Sequence, residues 1–166
     1  MDGQCDLAVR PARAADVDEL MRVFTAARRA MVLSGNPNQW TDGYPERGLV
    51  EQDVAEGRQW AVTDGAGRVV GTFCFLHGPE EAYAVIEEGR WPHEAPYWVI
   101  HRLASDGSRH GVFRCVLDWC AARAAVLRVD THADNLIMQR LLERNGFVRC
   151  GIIYQRRSPR LAYQRG

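Results

Sequence analysis

Leu103-Ala104-Ser105-Asp106-Gly107-Ser108-Arg109-His110-Gly111-Val112-Phe113 carries the chain from an apolar, strand-like run through a glycine loop into a helix. Onward to Phe147 the order is helix, strand, asparagine, helix and the stop Asn145-Gly146-Phe147. This succession decides the fold. Where a helix starts directly after a strand, the backbone N–H groups of its first turn point outward without partners, and such a turn binds phosphate oxygens.

The flanking elements follow from periodicity and punctuation. Tyr97 to Ala104 suits a central strand, Gly111 to Ala124 sets Val112, Val116 and Cys120 on one helical stripe, and Val126 to Thr131 is the next strand. Asp134 is placed to cap the last helix, whose Ile137, Met138, Leu141 and Leu142 face inward. Gly146 then reads as the C′ residue of a Schellman stop, with Phe147 folding back on the helix. Upstream, Leu7 to Pro11 is a short strand, and Asp16 caps a helix carrying Leu20, Val23, Phe24 and Ala27. Gly35 to Pro45 is broken by glycine, asparagine and proline and displays Trp40 and Tyr44; Glu46 to Gly57 is a second short helix. Gln59 to Thr63 and Val69 to Leu76 form a hairpin through Asp64-Gly65-Ala66-Gly67. Gly78 to Pro96, with Tyr83 and Trp91, is a loop around a short helix, and two last strands, Val148 to Tyr154 and Leu161 to Gln164, flank Ser158-Pro159.

The 166 residues suffice for one well-packed domain spanning 1–166 and are short for two. Twenty-one basic residues, all of them arginine, balance 21 acidic ones, so no global field draws nucleic acid or a membrane. Cys5, Cys74, Cys115, Cys120 and Cys150 are dispersed, with no Cys-x-x-Cys pair, and fit reduced thiols in a cytoplasm. Met1 to Arg10 holds no apolar run long enough for a signal sequence, and no later stretch reads as a membrane span.

Strand, glycine loop, helix and a strand ending near Asp130 also mimic a dinucleotide-binding unit. Gly107 and Gly111 do not make its Gly-x-Gly-x-x-Gly, and the loop lies too late in the chain for a doubly wound sheet. The whole order from Leu7 to Gln164 instead resembles the GNAT N-acetyltransferase superfamily. Members carry Asn-x-x-Ala-x-x-Leu-Tyr-x-x-x-Gly-Phe across the last helix, and Asn135, Met138, Leu141, Leu142, Gly146 and Phe147 stand in those places here. The family loop Gln/Arg-x-x-Gly-x-Gly/Ala is matched at Gly111, while Ser108 and Phe113 depart from it.

The resemblance implies a mixed α/β (α+β) fold: a mostly antiparallel sheet with splayed central strands, flanked by helices. It implies acetyl-CoA as co-substrate and no metal. The coenzyme would lie along Leu103, Ala104 and Ser105 as an added strand and against the turn of Ser108, Arg109, His110, Gly111, Val112 and Phe113, near Asn135. His101-Arg102-Leu103-Ala104 resembles the His-x-Leu-Ala run of one branch, the serotonin N-acetyltransferases, where that histidine is implicated in proton removal. His101 is thus the candidate base, or else a hydrogen-bonded core histidine. Leu142 stands where the family commonly places the tyrosine acid that protonates the thiolate, so Tyr154 is the candidate replacement, beside unassisted departure of the thiolate. Trp40, Tyr44, Trp91, Tyr97 and His132 are candidates for an acceptor pocket, and Asp130, His132 and Asp134 lack the further ligands of a metal site.

The expected activity is acetyl transfer from acetyl-CoA to a primary amine of a small molecule or peptide, by direct attack on the thioester. The alternative is a non-catalytic acyl-CoA-binding or regulatory module, in keeping with Ser108, Phe113 and Leu142. A homodimer is compatible with either.

Overall fold

The computed structural model describes residues 6–166; Met1 to Cys5, the start of the stretch read for a signal sequence and one of the five cysteines, lie outside the described residues. Seven strands make one sheet in the order β1-β2-β3-β4-β5-β7-β6. They are β1 (Ala8–Pro11), β2 (Gln59–Thr63), β3 (Val69–His77), β4 (Trp98–Ser105), β5 (Leu127–Thr131), β6 (Val148–Gln155) and β7 (Ser158–Arg165). All neighbours pair antiparallel except β4 and β5, which run parallel. The helices are α1 (Val17–Leu33), α2 (Arg47–Ala55), α3 (Val112–Ala121) and α4 (Leu136–Arg144).

Apolar periodicity distributes the helices over two faces. One face of the sheet packs Phe73, Phe75, Ile100 and Leu161 against Val112, Val116 and Leu117 of α3, with Leu142 and Phe147 closing that core beside α4. The other face packs Ala61, Val69 and Ala104 against Leu20, Val23, Phe24 and Ala27 of α1 and Val50 of α2. A third cluster, on Val99, Ile153 and Ala162, holds the segment that contains Tyr83.

Two departures in the central sheet create the site. The β4–β5 ladder has only the pairs Trp98↔Leu127 and Val99↔Arg128, after which the strands part. In β4, His101 pairs with Cys74 and Ala104 with Thr72, so Arg102 and Leu103 together oppose Phe73. That is a β-bulge, and Arg102 takes a φ of 50° there. Because of the extra residue, two consecutive side chains, His101 and Arg102, reach the α1–α2 face before Leu103 returns to the α3 face.

Several expectations are corrected. Asp16 is the N-cap residue of α1, but its side chain makes no capping bond: it ends a 3₁₀ turn, Ala14–Asp16, where its carboxylate accepts from Arg13 N at 2.7 Å and from the Arg10 guanidinium at 2.7 and 2.9 Å. The α4 cap is Asn135, not Asp134; its Oδ1 accepts from Met138 N at 3.1 Å. Ile137, expected to face inward, is 57% exposed. Ser158 and Pro159 belong to β7, and the turn is Arg156-Arg157, both at positive φ (50° and 64°). A two-residue turn of that hand normally draws asparagine or glycine, so arginines gave no signal. The Schellman stop forms as expected, with Phe147 N donating to Leu142 O (3.0 Å) and Gly146 N to Glu143 O (3.2 Å).

Candidate active site at the parting of the central strands

Where β4 and β5 separate, a cavity of about 290 Å³ passes through the sheet. On the α3 side it is lined by Leu103, Phe113, Val116, Met138, Leu142 and Phe147. On the α1–α2 side Met31, Trp40 and Leu49 are joined by the polar residues Gln39, Asp53, Glu80, His101, Arg102 and Asp130. Beyond Val99 the β4 edge has no β5 partner, so main-chain groups of Leu103 to Ser105 lie on an edge open to strand addition.

The loop after β4 is built in advance. Asp106 accepts from Ser108 N (2.9 Å) and Ser108 Oγ (2.6 Å) and from Arg22 (3.0 Å), and Gly107 N donates to Ser105 Oγ (3.1 Å). Burial opposes ionisation of Asp106, but the Ser108 and Arg22 bonds outweigh it and hold the carboxyl below the usual range. Gly111, at φ 85°, is the N-cap of α3, and the first bond into the helix is Cys115 N to Gly111 O at 2.9 Å. The N–H groups of Val112, Phe113 and Arg114 therefore precede the first helical bond. Gly71 lets this turn sit close: a Cβ there would lie 2.7 Å from Val112 Cγ1 and 3.1 Å from Ala104 O.

Not every residue of this loop is presented to a ligand. Ser108, Arg109, His110 and Gly111 are exposed, but Val112 is a core side chain at 4% exposure, and Ala104 is buried as well. Arg109 reaches back to Asp64 at 3.2 Å. Asn135 lines the cavity, yet Oδ1 caps α4 and Nδ2 donates to Gln39 Oε1 at 3.0 Å.

On the polar side, His101 Nε2 is 3.2 Å from Glu80 Oε2, and its Nδ1 is 4.0 Å from Asp130 Oδ2. The hydrogen bond to His101, followed by opposing burial, leaves the Glu80 carboxyl below its ordinary value. Tyr83 donates its hydroxyl to Asp130 Oδ2 at 2.7 Å; burial, then the Asp130 charge, pushes that phenol well above its ordinary value, so it remains a donor. Arg102 is bound by Asp53, by Tyr44 Oη at 3.1 Å and by Cys74 Sγ at 3.2 Å. Burial pushes the Cys74 thiol up to about 12, which makes it a poor nucleophile.

Trp40 and Tyr44 line the cavity, Trp40 edge-on to Phe24 and Tyr44. Trp91, Tyr97 and His132 are not in its wall. Trp91 and Tyr97 sandwich the buried Arg128 guanidinium, each ring centroid 3.9 Å from its carbon, and so fasten the segment before β4 to β5. His132 Nδ1 accepts from Asp134 N at 3.0 Å in the turn before α4. Tyr154 also lies outside: 49% exposed, it points to Glu87 Oε2 at 3.3 Å, on the opposite side of its strand from the buried Ile153. Among the described residues no group of three or more His, Cys, Asp or Glu side chains is arranged to hold a metal ion.

Sequence reading missed Gln39, Asp53, Glu80, Arg102, Arg156 and Arg160, all in the cavity wall. Asp53 had a detectable signal, since a carboxylate three residues after Val50 falls on the buried stripe of α2. Gln39 had none; its Oε1 accepts from Asn36 Nδ2 and Asn135 Nδ2, each at 3.0 Å, and ties the loop after α1 to the end of β5.

The geometry agrees with comparisons to known proteins. A family model described as an acetyltransferase (GNAT) domain matches residues 6–148. The crystal structure of a GNAT-family acetyltransferase from Streptococcus agalactiae is similar over 96% of this chain and 94% of its own, at 29% identity and a TM-score of 0.87. GNAT-family structures from Listeria monocytogenes (18% identity, 99% and 97% covered, TM-score 0.69) and Bacillus cereus (16%, 96% and 96%, 0.61) share the fold. A comparison with curated proteins gives no match. No helix of the described residues is long and apolar enough to cross a membrane. With the family model covering most of the chain, and its strands parting at the cavity, this protein belongs to the GNAT acetyltransferases.

Proposed function

We propose that the protein is an acetyl-CoA-dependent N-acetyltransferase acting on a primary amine, with His101 and Glu80 handling the amine proton. The observation that carries this reading is the His101–Glu80 pair, 3.2 Å apart, in the wall of a cavity whose other wall is the open edge of β4. Acetyl-CoA, the co-substrate of this family, suits that cleft: an unpaired strand edge for its amide arm, and backbone donors after Gly111 that precede the first helical bond for its phosphates. When bound, it supplies the acetyl group as a thioester.

The residues then divide the work. Gly111 and the first turn of α3 hold phosphate oxygens, and Leu103 to Ser105 align the amide arm. A backbone N–H near Leu103 polarises the carbonyl. His101 takes the amine proton, and Glu80, anionic through the neutral range, stabilises the imidazolium that results. Leu142, at 1% exposure, has no proton to give, so the thiolate departs without a phenol beside it. Tyr154→Phe is accordingly expected to leave the single-turnover acyl-transfer rate unchanged; a tenfold fall would bring Tyr154 back as the acid.

Coenzyme A and acetyl-CoA are expected to raise the melting temperature, whereas NAD has no comparable effect. Gly111→Glu should weaken coenzyme binding while the fold persists, because it sets a carboxylate against the phosphates and forces a side chain into the left-handed region. Titration of folded Gly111→Glu with coenzyme A checks this, and wild-type affinity would remove the loop from the site. Release of coenzyme A thiol across a panel of amines tests catalysis itself. Binding without transfer to any amine would favour the non-catalytic module.

A further inference from the structure

Arg160 is the one cavity-lining guanidinium that is buried and has no carboxylate at ion-pair distance among the described residues. It lies in β7 one residue before the last β5 pairing, Thr131↔Leu161, and so extends past the end of β5 into the parted region. Its residue exposure is 5%. Nη2 donates to Gln39 O at 2.8 Å, and Nη1 has no hydrogen-bond partner among the described residues. Burial pushes this guanidinium's pKa down, and the charge of Asp130 only partly offsets that. A guanidinium carries five donors and cannot shed its charge, so an orphaned N–H in a dry site is costly unless an acceptor arrives.

The surroundings favour an anion as that acceptor. Arg58 is paired with Asp53 and Glu56 and Arg102 with Asp53, whereas Arg156 is in no ion pair among the described residues and lies over the Tyr44 ring, 3.9 Å from its centroid. Arg156 stands in the positive-φ turn between β6 and β7, four residues before Arg160, and also lines the cavity. Asp130 is already engaged by the Tyr83 hydroxyl and lies 4.0 Å from His101. The cavity wall thus combines a carboxylate–imidazole pair suited to an amine with a guanidinium left unsatisfied.

We infer that the acceptor is a small amine that also carries an oxyanion, a carboxylate or phosphonate, held by Arg160 with Arg156 at the rim while its amine meets His101. The inference rests on the acetyl-transfer reading. In the reaction the amine nitrogen bonds the acetyl carbon as the thioester C–S bond breaks. The nitrogen gives up its proton through His101, and coenzyme A leaves as the thiolate. A guanidinium–oxyanion pair, made of charge-assisted parallel bonds, selects amines that carry the anion over those that lack it.

The test uses matched sets: α-amino acids, their aminophosphonate analogues, and the corresponding decarboxylated amines, each with acetyl-CoA and thiol release as readout. Aminocarboxylates or aminophosphonates should exceed the decarboxylated amines in kcat/KM by about 10²-fold; which of the two leads identifies the oxyanion. Arg160→Gln should collapse that ratio toward one, mostly through KM. Because a buried change at Arg160 could impair folding, Arg156→Ala, at an exposed turn, is the second variant and should lower the same ratio in a folded protein. Transfer with equal kcat/KM for all three sets overturns the inference and leaves the acetyl-transfer reading standing. No transfer to any set, with coenzyme binding intact, overturns both.

Discussion

His101→Ala is expected to lower acetyl-transfer turnover by about 10² to 10⁴-fold at neutral pH while leaving coenzyme affinity nearly intact, the usual contribution of a positioned base. The separation of effects follows from the face each group occupies. His101 lies on the polar side of β4 against Glu80 and Tyr83, whereas the turn proposed to hold the coenzyme begins at Ser105 and rests on Gly71 and Asp106. Removing the imidazole also takes away the main hydrogen-bond donor of Glu80, leaving Ala82 N at 3.4 Å, so the Glu80 carboxyl should return toward its ordinary range. The linkage sign is that of a depressed carboxylate. Stability contributed by the Glu80–His101 contact is present above the unfolded carboxylate pKa of about 4.3 and is lost as pH falls through the folded value, so the variant should show a weaker acid destabilisation. A folded His101→Ala protein with wild-type turnover and pH profile would make His101 a core histidine.

The parts legible in the sequence were those set by local chemistry. The Asp64 to Gly67 turn specified the β2–β3 hairpin, the stripe on α1 specified its buried face, and Asn145-Gly146-Phe147 specified a stop whose two bonds form as expected. The parting of β4 and β5 was reached only through family resemblance, since nothing in Ile100 to Ser105 marks where the pairing ends. The bulge at Arg102 is less visible still, because arginine at positive φ has no sequence signature, yet it is what sends His101 and Arg102 to the same face. Aromatic content misled in one direction only. Trp40 and Tyr44 do line the cavity, while Trp91 and Tyr97 were claimed by Arg128, some thirty residues further along the chain, in a sandwich that only the folded sheet assembles. Asp134 and Asn135 are both good cap formers, and local sequence does not choose between them; in the fold Asn135 caps the helix and its amide is also bound by Gln39 from a distant loop.

Asp53→Ala is expected to destabilise the fold by about 3–5 kcal/mol, the loss typical when one partner of a buried ion pair is removed. Its side chain is 2% exposed; one carboxylate oxygen binds Arg58 at 2.8 Å and the other binds Arg102, itself 13% exposed. No other carboxylate of the described residues is at ion-pair distance from Arg102. Cys74 cannot take over, because burial holds its thiol protonated, with a pKa of about 12, and it donates to Gln59 Oε1 at 2.8 Å. Arg102 would thus keep a buried charge, with its Nε already lacking a partner, on the bulge next to His101. Denaturant unfolding of the wild type, Asp53→Ala, Arg102→Met and the double variant measures the coupling. The double variant should recover much of the lost stability, because removing both charges leaves no uncompensated ion at this position, and Arg58 keeps Glu56 at 2.6 Å. A single-variant loss below about 1 kcal/mol would instead mean that water screens the pair as it does at a surface. In that case Arg102 would be free to turn toward an acceptor, and the assignment of the anion to Arg160 would have to be tested against Arg102 as well.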